Sequence, residues 1–161
     1  MCNRGLVLVT LSSLMLTQTS PARAVPATPL AGLRDLVGTW KCTYRAGATS
    51  LPYEARYAYD GDARVLREDV SLAGGGDEEL LAYDATHRMW SVVVFDGHGS
   101  TYVMRGAGSD PHHFAYRSVY PDASIAVRFD RVSASEYTLR GTVRMGGKTT
   151  SSIDTCLRAA F

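Results

Sequence analysis

The sequence is short of several residue types. Beyond residue 24 it has no asparagine and no glutamine, and the whole chain has two lysines against fifteen arginines. Sugar-binding sites usually depend on amide side chains as paired donors and acceptors, so a lectin is disfavoured. The 17 basic and 16 acidic residues nearly cancel, which argues against an electrostatic nucleic-acid surface. The motifs of α/β-hydrolases, zinc proteases, dithiol oxidoreductases and P-loop proteins are missing as well.

The first 24 residues have the pattern of a secretory signal peptide. Arg4 precedes the mostly apolar stretch Gly5–Thr17, and Ala22-Arg23-Ala24 is a small-x-small cleavage site. The apolar stretch is too short to span a bilayer as a helix. Cleavage removes two arginines and no acid, which leaves a net charge of −1 on residues 25–161. We therefore predict a periplasmic or secreted protein without a membrane span after cleavage. An uncleaved anchor is the alternative.

The rest of the chain is predicted to be one β domain. Residues 25–37 form a leader and a short helix, with Leu30, Leu33 and Leu36 near helical spacing. From residue 38 onward the apolar residues alternate, and turn residues separate the runs. We predict ten strands, at residues 39–46, 53–60, 64–73, 79–84, 88–96, 100–106, 112–120, 124–131, 136–145 and 148–158.

A long antiparallel meander leaves no unpaired edge strand when its first and last strands pair and close a barrel. We therefore predict an all-β fold for residues 38–161, an antiparallel up-and-down β-barrel of about ten strands with a short N-terminal helix. A two-sheet sandwich is the alternative.

The two cysteines that remain after cleavage support closure of the barrel. Cys42 lies in the first predicted strand and Cys156 in the last. Two cysteines in an exported chain predict a disulfide, and two reduced, buried cysteines are the alternative. If the bond pairs these strands antiparallel, Trp40 lies opposite Arg158, and Tyr44 lies opposite Asp154.

Three features resemble the calycin superfamily. Gly38-Thr39-Trp40 follows the predicted helix and opens the first strand, and the register places Arg158 beside Trp40. The lipocalin branch of calycins carries G-x-W on its first strand, with an arginine from near the end of the barrel stacked on the tryptophan. The resemblance implies a ligand-binding barrel in which Trp40 and Arg158 are structural.

A second resemblance is to an exported bacterial lipocalin-like family of unknown function. It is carried by Tyr83-Asp84, Met89-Trp90, Phe95-Asp96 and Gly106. Typical lipocalins have eight strands, so the ten predicted here are nearer to fatty-acid-binding or nitrobindin-like barrels.

Strand alternation predicts a tyrosine-rich interior. It turns Tyr53, Tyr57 and Tyr59 inward on the second strand, and it does the same for Tyr120 on the seventh. The strand at 88–96 is apolar on both faces, so the pattern does not decide which of its faces points inward. A hollow barrel and a core filled by aromatic rings are both compatible with this pattern. The residues predicted to contact a ligand are Tyr57, Tyr59, Glu68, Tyr116, Phe129 and Tyr137.

The same alternation, applied to the third predicted strand, places Glu68 in an apolar lining. A buried carboxylate needs a partner or a raised pKa. It is an acid–base or anion-binding group, or one half of an internal ion pair, or its strand faces the other way. Arg64 lies on the same strand, and Asp154 and Arg158 are the residues of the last strand that could join Glu68. An enzyme of the isomerase, cyclase or decarboxylase type, using Glu68, Tyr57 and Arg158, is therefore an alternative function. The likeness to nitrobindin-like barrels also implies haem binding as an alternative, with a proximal histidine in the last two strands; those strands contain no histidine, which disfavours it.

The remaining polar residues are interpreted as surface. His87 and His112 lie at one predicted rim and His98 at the other, too far apart to share a metal ion. We predict no metal site, no cofactor and no catalytic residues. Arg128-x-Asp130 and Arg140-x-Thr142-x-Arg144 are expected to form a solvated outer wall with cross-strand ion pairs.

The overall prediction is an exported, monomeric protein that binds a small apolar or aromatic molecule and no nucleic acid. A structural envelope protein with a filled barrel is a further alternative. The helix is expected to close the rim where the first strand begins. The opposite rim would be the mouth, and its acidic residues, among them Asp77, Glu79 and Asp96, should disfavour anionic ligands.

Overall fold

The computed structural model describes residues 28–121 and 124–160; the predicted signal peptide lies outside them. A short 3₁₀ helix, Pro29–Leu36, precedes ten strands. The strands are β1 Gly38–Ala46, β2 Thr49–Tyr59, β3 Val65–Ser71, β4 Glu78–Asp84, β5 Met89–Phe95, β6 Thr101–Ala107, β7 His113–Tyr120, β8 Ser124–Ser133, β9 Glu136–Met145 and β10 Lys148–Arg158. No helix in the described ranges is long and apolar enough to cross a membrane.

The ten strands form a closed antiparallel barrel in which each strand pairs with its sequence neighbours and β1 pairs with β10. This confirms the predicted fold class and excludes the sandwich. The hairpins follow from local turn chemistry. Gly146 and Gly147 both have positive φ and connect β9 to β10 in two residues.

The predicted closing register is also confirmed. Cys42 and Cys156 lie opposite each other and form a disulfide. Trp40 lies opposite Arg158, and Tyr44 lies opposite Asp154. The seam of the barrel is therefore held by backbone pairing and by one covalent bond.

The interior follows the predicted alternation with two departures. β2 begins at Thr49, earlier than expected, and Pro52 lies in a part of the strand that pairs with β1 alone, where a missing N–H is tolerated. The prediction that Tyr120 faces inward is wrong, because Val119 is an extra residue in the β6–β7 pairing and reverses the alternation beyond it. The sequence did not decide which face of β5 points inward. In the structure the inward face carries Trp90, whose side chain is fully buried.

The rim where β1 begins is closed by the helix, as expected. Leu30, Leu33 and Leu36 are buried, and the Trp40 indole donates a hydrogen bond to the Leu36 carbonyl at 2.7 Å. The Arg158 guanidinium lies over the Trp40 ring, 4.7 Å from its centroid, which confirms the predicted stacking.

A second guanidinium, which the sequence did not predict there, lies over the same ring. Arg131 is 5.0 Å from the Trp40 ring centroid, and its Nη2 donates to Asp35 Oδ2 at 2.7 Å. These contacts tie the helix to β1, β8 and β10.

Candidate functional site

Aromatic packing fills the half of the barrel nearest the helix. The rings of Trp90, Phe114, Phe129 and Tyr137 stack in sequence, with successive centroids 4.5, 4.9 and 5.4 Å apart. Tyr137 also meets Trp40 edge to face at 4.9 Å. This half is a packed core, as the filled-barrel alternative expected.

The other half of the barrel is hollow. It contains a cavity of about 390 Å³ that extends toward the rim opposite the helix, where Leu51, Leu72 and Val143 line it. Ligand pockets in proteins span about 300–1,000 Å³, so this cavity has room for a small molecule. Its apolar lining is Leu51, Val70, Leu72, Met104, Ile125, Val127, Leu139 and Val143, and its polar lining is Tyr44, Tyr53, Tyr116, Ser152, Glu68, Asp77, Glu79 and Asp154.

A second, much smaller cavity of about 30 Å³ lies toward the helix, with Leu36, Tyr57 and Phe129 in its lining. That volume is enough for a water molecule but for little else. Glu68 and Tyr116 are among the residues that line both cavities. They therefore lie where the hollow half of the barrel meets the packed half.

Carboxyl groups from three strands face the main cavity. Glu68 on β3 lies directly opposite Glu79 on β4, because the antiparallel register pairs them. Asp154 on β10 also lines the cavity, and Asp77 lines it from just before β4. Among the residues that the structure describes, no arginine, lysine or histidine lines either cavity. The carboxyl groups are therefore without a basic partner in the cavity.

Burial raises the pKa values of three cavity carboxyl groups, those of Glu68, Glu79 and Asp154. Loss of hydration, followed by the nearby charge of Glu79, raises the pKa of Glu68 well above its usual range, and a hydrogen bond from Tyr57 opposes that rise. Burial and the charges of Asp77 and Asp154 raise the pKa of Glu79 to about 7. Burial raises the pKa of Asp154 to about 6, against a hydrogen bond from Tyr53. The charge of the cavity therefore changes across neutral pH.

The tyrosines around the cavities keep their protons. Burial raises the pKa values of Tyr53, Tyr57, Tyr116 and Tyr137 above the normal phenol value. The hydroxyls of Tyr57 and Tyr137 are hydrogen-bonded to each other at 2.9 Å. Protonated phenols can donate hydrogen bonds to a ligand, and those of Tyr53 and Tyr116 line the main cavity.

The six residues predicted to contact a ligand occupy three levels of the barrel. Glu68 and Tyr116 line the main cavity, whereas Tyr57 and Phe129 line the small cavity. Tyr137 is fully buried in the packed half. Tyr59 lies at the closed rim, where its hydroxyl donates to the Leu30 carbonyl at 2.6 Å. Their contact with a ligand stays a prediction.

The structure separates Glu68 from two of its candidate partners. Arg158 stacks on Trp40 at the closed rim and lines neither cavity. Arg64 is exposed and pairs with Asp62. Asp154 does share the cavity with Glu68, but it adds negative charge. An internal ion pair at Glu68 and a site that joins Arg158 to Glu68 are both wrong.

Glu79 is the main site residue that sequence reasoning misplaced. The sequence places it at the mouth, as the first residue of the strand predicted at 79–84. In the structure β4 begins at Glu78, so Glu79 is the second residue of the strand and points inward. The signal that could have placed it was its pairing with Glu68 once β3 and β4 were joined as a hairpin.

Two of the four histidine side chains contact carboxylates at the surface. The Nδ1 atoms of His87 and His113 lie 2.6 Å from Asp84 and 3.1 Å from Asp130, respectively. Within residues 28–121 and 124–160, no group of three or more His, Cys, Asp or Glu side chains is arranged to hold a metal ion.

The closed barrel, its disulfide and its interior cavity define a lipocalin-like β-barrel. No protein-family model and no curated protein matches the chain. Among solved structures, the chain is similar to the S-type phycobiliprotein lyase CPES from Guillardia theta. The TM-score is 0.60 at 11% identity, over 84% of this chain and 95% of that chain. It is also similar to EF1p2_mFAP2b bound to DFHBI, with a TM-score of 0.42 at 10% identity, over 83% of this chain and 100% of that chain.

At such low identity, the likeness to the lyase concerns the fold alone. It agrees with the lipocalin-like barrel predicted from the G-x-W motif and the strand count. Membership of the exported bacterial family stays a prediction.

Proposed function

We propose that this protein is an exported binding protein for a small hydrophobic or amphipathic molecule that is neutral or cationic. The observation that carries the proposal is the cavity of about 390 Å³, whose described lining has apolar walls and carboxyl groups but no basic side chain. An apolar body would bury surface against residues such as Val127 and Leu139, and each buried methylene contributes about 0.8 kcal/mol.

The carboxyl groups favour a particular charge on the ligand. A carboxylate ligand would place another negative charge near Glu68, Glu79 and Asp154, whereas an ammonium group would neutralise one. Two unit charges 4 Å apart interact by about 4 kcal/mol at an effective dielectric constant of 20. We therefore expect affinity to fall in the order amine, alcohol, carboxylate for molecules with the same hydrocarbon chain.

The proposal of export rests on the predicted signal peptide. The disulfide between Cys42 and Cys156 supports it, because disulfides persist in oxidising compartments and are rare in the cytosol.

The test is calorimetric titration of the purified protein with decylamine, decanol and decanoate. At pH 8 the amine should bind most tightly, because Glu79, with a pKa of about 7, is then largely ionised. At pH 5 protonation of Glu79 and Asp154 should lower the affinity for decylamine and leave the affinity for decanol nearly unchanged. Tightest binding of decanoate at pH 8 would show that the charge assignment is wrong.

A pair of variants on one strand tests whether the cavity is the site. Val143 lines the cavity, whereas its neighbour Thr142 is exposed on the outer wall. Val143→Phe should fill the cavity and lower the affinity for decanol at least tenfold, and Thr142→Phe should change it less than twofold. Equal effects of the two substitutions would place binding elsewhere.

A further inference from the structure

The outer wall of the barrel is strongly basic on one side. The outward-facing residues of β6 to β9 include five exposed arginines, Arg105, Arg117, Arg128, Arg140 and Arg144. Among the described residues, Arg128 is the only one of the five that forms an ion pair, with Asp130 at 2.9 Å. The expectation of cross-strand ion pairs is therefore wrong for Arg140 and Arg144.

The register of this wall places like charges directly opposite each other. Arg105 lies opposite Arg117, and Arg128 lies opposite Arg140. Like charges in such cross-strand positions destabilise a sheet. A local arrangement that works against stability commonly marks a functional surface, and a partner with negative charge would turn this repulsion into attraction.

Small residues form the floor between these arginines. Ala126 lies between Arg117 and Thr142 in the cross-strand row, and Ser124 lies opposite Arg144 in the next row. The result is a depression of about 340 Å³ with arginines at its edges and, within residues 28–121 and 124–160, no carboxylate in its lining. Anionic groups can approach the guanidinium groups there without meeting a bulky side chain.

Exposed apolar side chains lie at the mouth end of the same strands. Val119 and Tyr120 are 58% and 61% exposed at the end of β7, and Met145 is 70% exposed at the end of β9. Ile125 and Val143, whose side chains line the main cavity, belong to β8 and β9 near this end. The basic wall, the apolar tips and the mouth therefore adjoin one another.

We propose that this corner of the barrel is a docking surface for a bilayer rich in anionic phospholipids. The headgroup phosphates contact Arg117 and Arg144, and Tyr120 and Met145 enter the interface, where aromatic and apolar side chains are favoured. The charge of the wall favours an anionic surface, and the apolar tips favour a lipid surface over other polyanions. Docking in this orientation brings the mouth to the bilayer, from which a hydrophobic ligand can partition.

The first test compares two variants that lose the same charge. Arg117→Gln/Arg144→Gln removes two arginines of the docking surface, and Arg56→Gln/Arg64→Gln removes two exposed arginines elsewhere. Binding is measured by sedimentation with vesicles of phosphatidylcholine, with and without phosphatidylglycerol. Each arginine near an anionic surface contributes about fivefold in affinity. The first variant should bind mixed vesicles about 25-fold more weakly than the wild type, and the second less than twofold.

Other outcomes of that test overturn the proposal. Equal loss in both variants would show that overall charge controls binding. Equal affinity for duplex DNA at the same salt concentration, with the same loss in Arg117→Gln/Arg144→Gln, would make the wall a general polyanion site. Tight binding of inorganic phosphate with no binding to vesicles would make the depression a small-anion site.

The second test measures insertion at the mouth. Both native tryptophans are fully buried, so Met145→Trp adds the one exposed tryptophan in the described ranges. Val132, which is 58% exposed near the closed rim, provides the matched control Val132→Trp. Brominated lipids in anionic vesicles should quench the added fluorescence of Met145→Trp and leave that of Val132→Trp unchanged. Quenching of both or of neither would refute the proposed orientation, whether or not the cavity binds a ligand.

Discussion

Replacement of Glu79 by glutamine should stabilise the protein at alkaline pH and have a small effect at acid pH. The pKa of Glu79 is about 7 in the folded protein, against 4.5 for a glutamate side chain in water. The folded state therefore holds this proton more tightly than the unfolded state does. The contribution of Glu79 to the free energy of unfolding is therefore greatest below pH 4.5, falls as the pH rises toward about 7, and is level above that.

The size of the effect follows from that shift. One pKa unit corresponds to about 1.4 kcal/mol, so ionisation of Glu79 costs the folded state about 3 kcal/mol by pH 8. Because the side chain is only half-buried, solvent screening reduces this cost. Glu79→Gln removes the ionisation, and we expect it to raise the free energy of unfolding by about 1–3 kcal/mol at pH 8. At pH 5 the change should stay within about 1 kcal/mol.

Urea unfolding of the unliganded protein, followed by circular dichroism at both pH values, measures this difference. Glu78→Gln is the matched control, because Glu78 is the preceding residue of β4 and lies on the other face, within 3.5 Å of Arg67. It should change stability by less than about 0.5 kcal/mol at either pH. If Glu79→Gln were no more stable than the wild type at pH 8, the buried-carboxylate reasoning would be wrong.

Three further predictions concern the seam and the closed rim. Reduction of the β1–β10 disulfide, or Cys42→Ala, should lower the free energy of unfolding by about 4–5 kcal/mol if the bond acts through chain entropy. Two titratable thiols in the unreduced, denatured protein would contradict the presence of the bond. Arg158→Ala should cost about 1–2 kcal/mol through its lost contact with Trp40, and a change within about 0.3 kcal/mol would count against that contact. Asp35→Ala leaves the buried guanidinium of Arg131 without its carboxylate and should cost about 1–3 kcal/mol in urea unfolding; no loss would show that the carbonyl acceptors of Arg131 suffice.

The sequence alone determined the barrel and its closure. Alternating apolar residues, with glycine-rich turns between them, specify antiparallel hairpins through local backbone preferences. The positions of Cys42 and Cys156 then gave the closing register. In antiparallel strands, the residue numbers of two opposite positions always add to the same total, so one known pair fixes all the others. The same sum placed Arg158 beside Trp40. These inferences needed only the local period and one covalent link.

Only the tertiary structure decided how the interior is divided between core and cavity. Whether aromatic rings fill a barrel depends on how they pack across it, and no periodic pattern encodes that volume. The charge of the cavity has the same origin, since Glu68, Glu79 and Asp154 come from β3, β4 and β10. Tyr120 faces outward because one extra residue in β7 reversed the alternation, which only the pairing with β6 reveals. Local sequence sets which strands form, whereas the curvature and register of the closed sheet set which side chains meet.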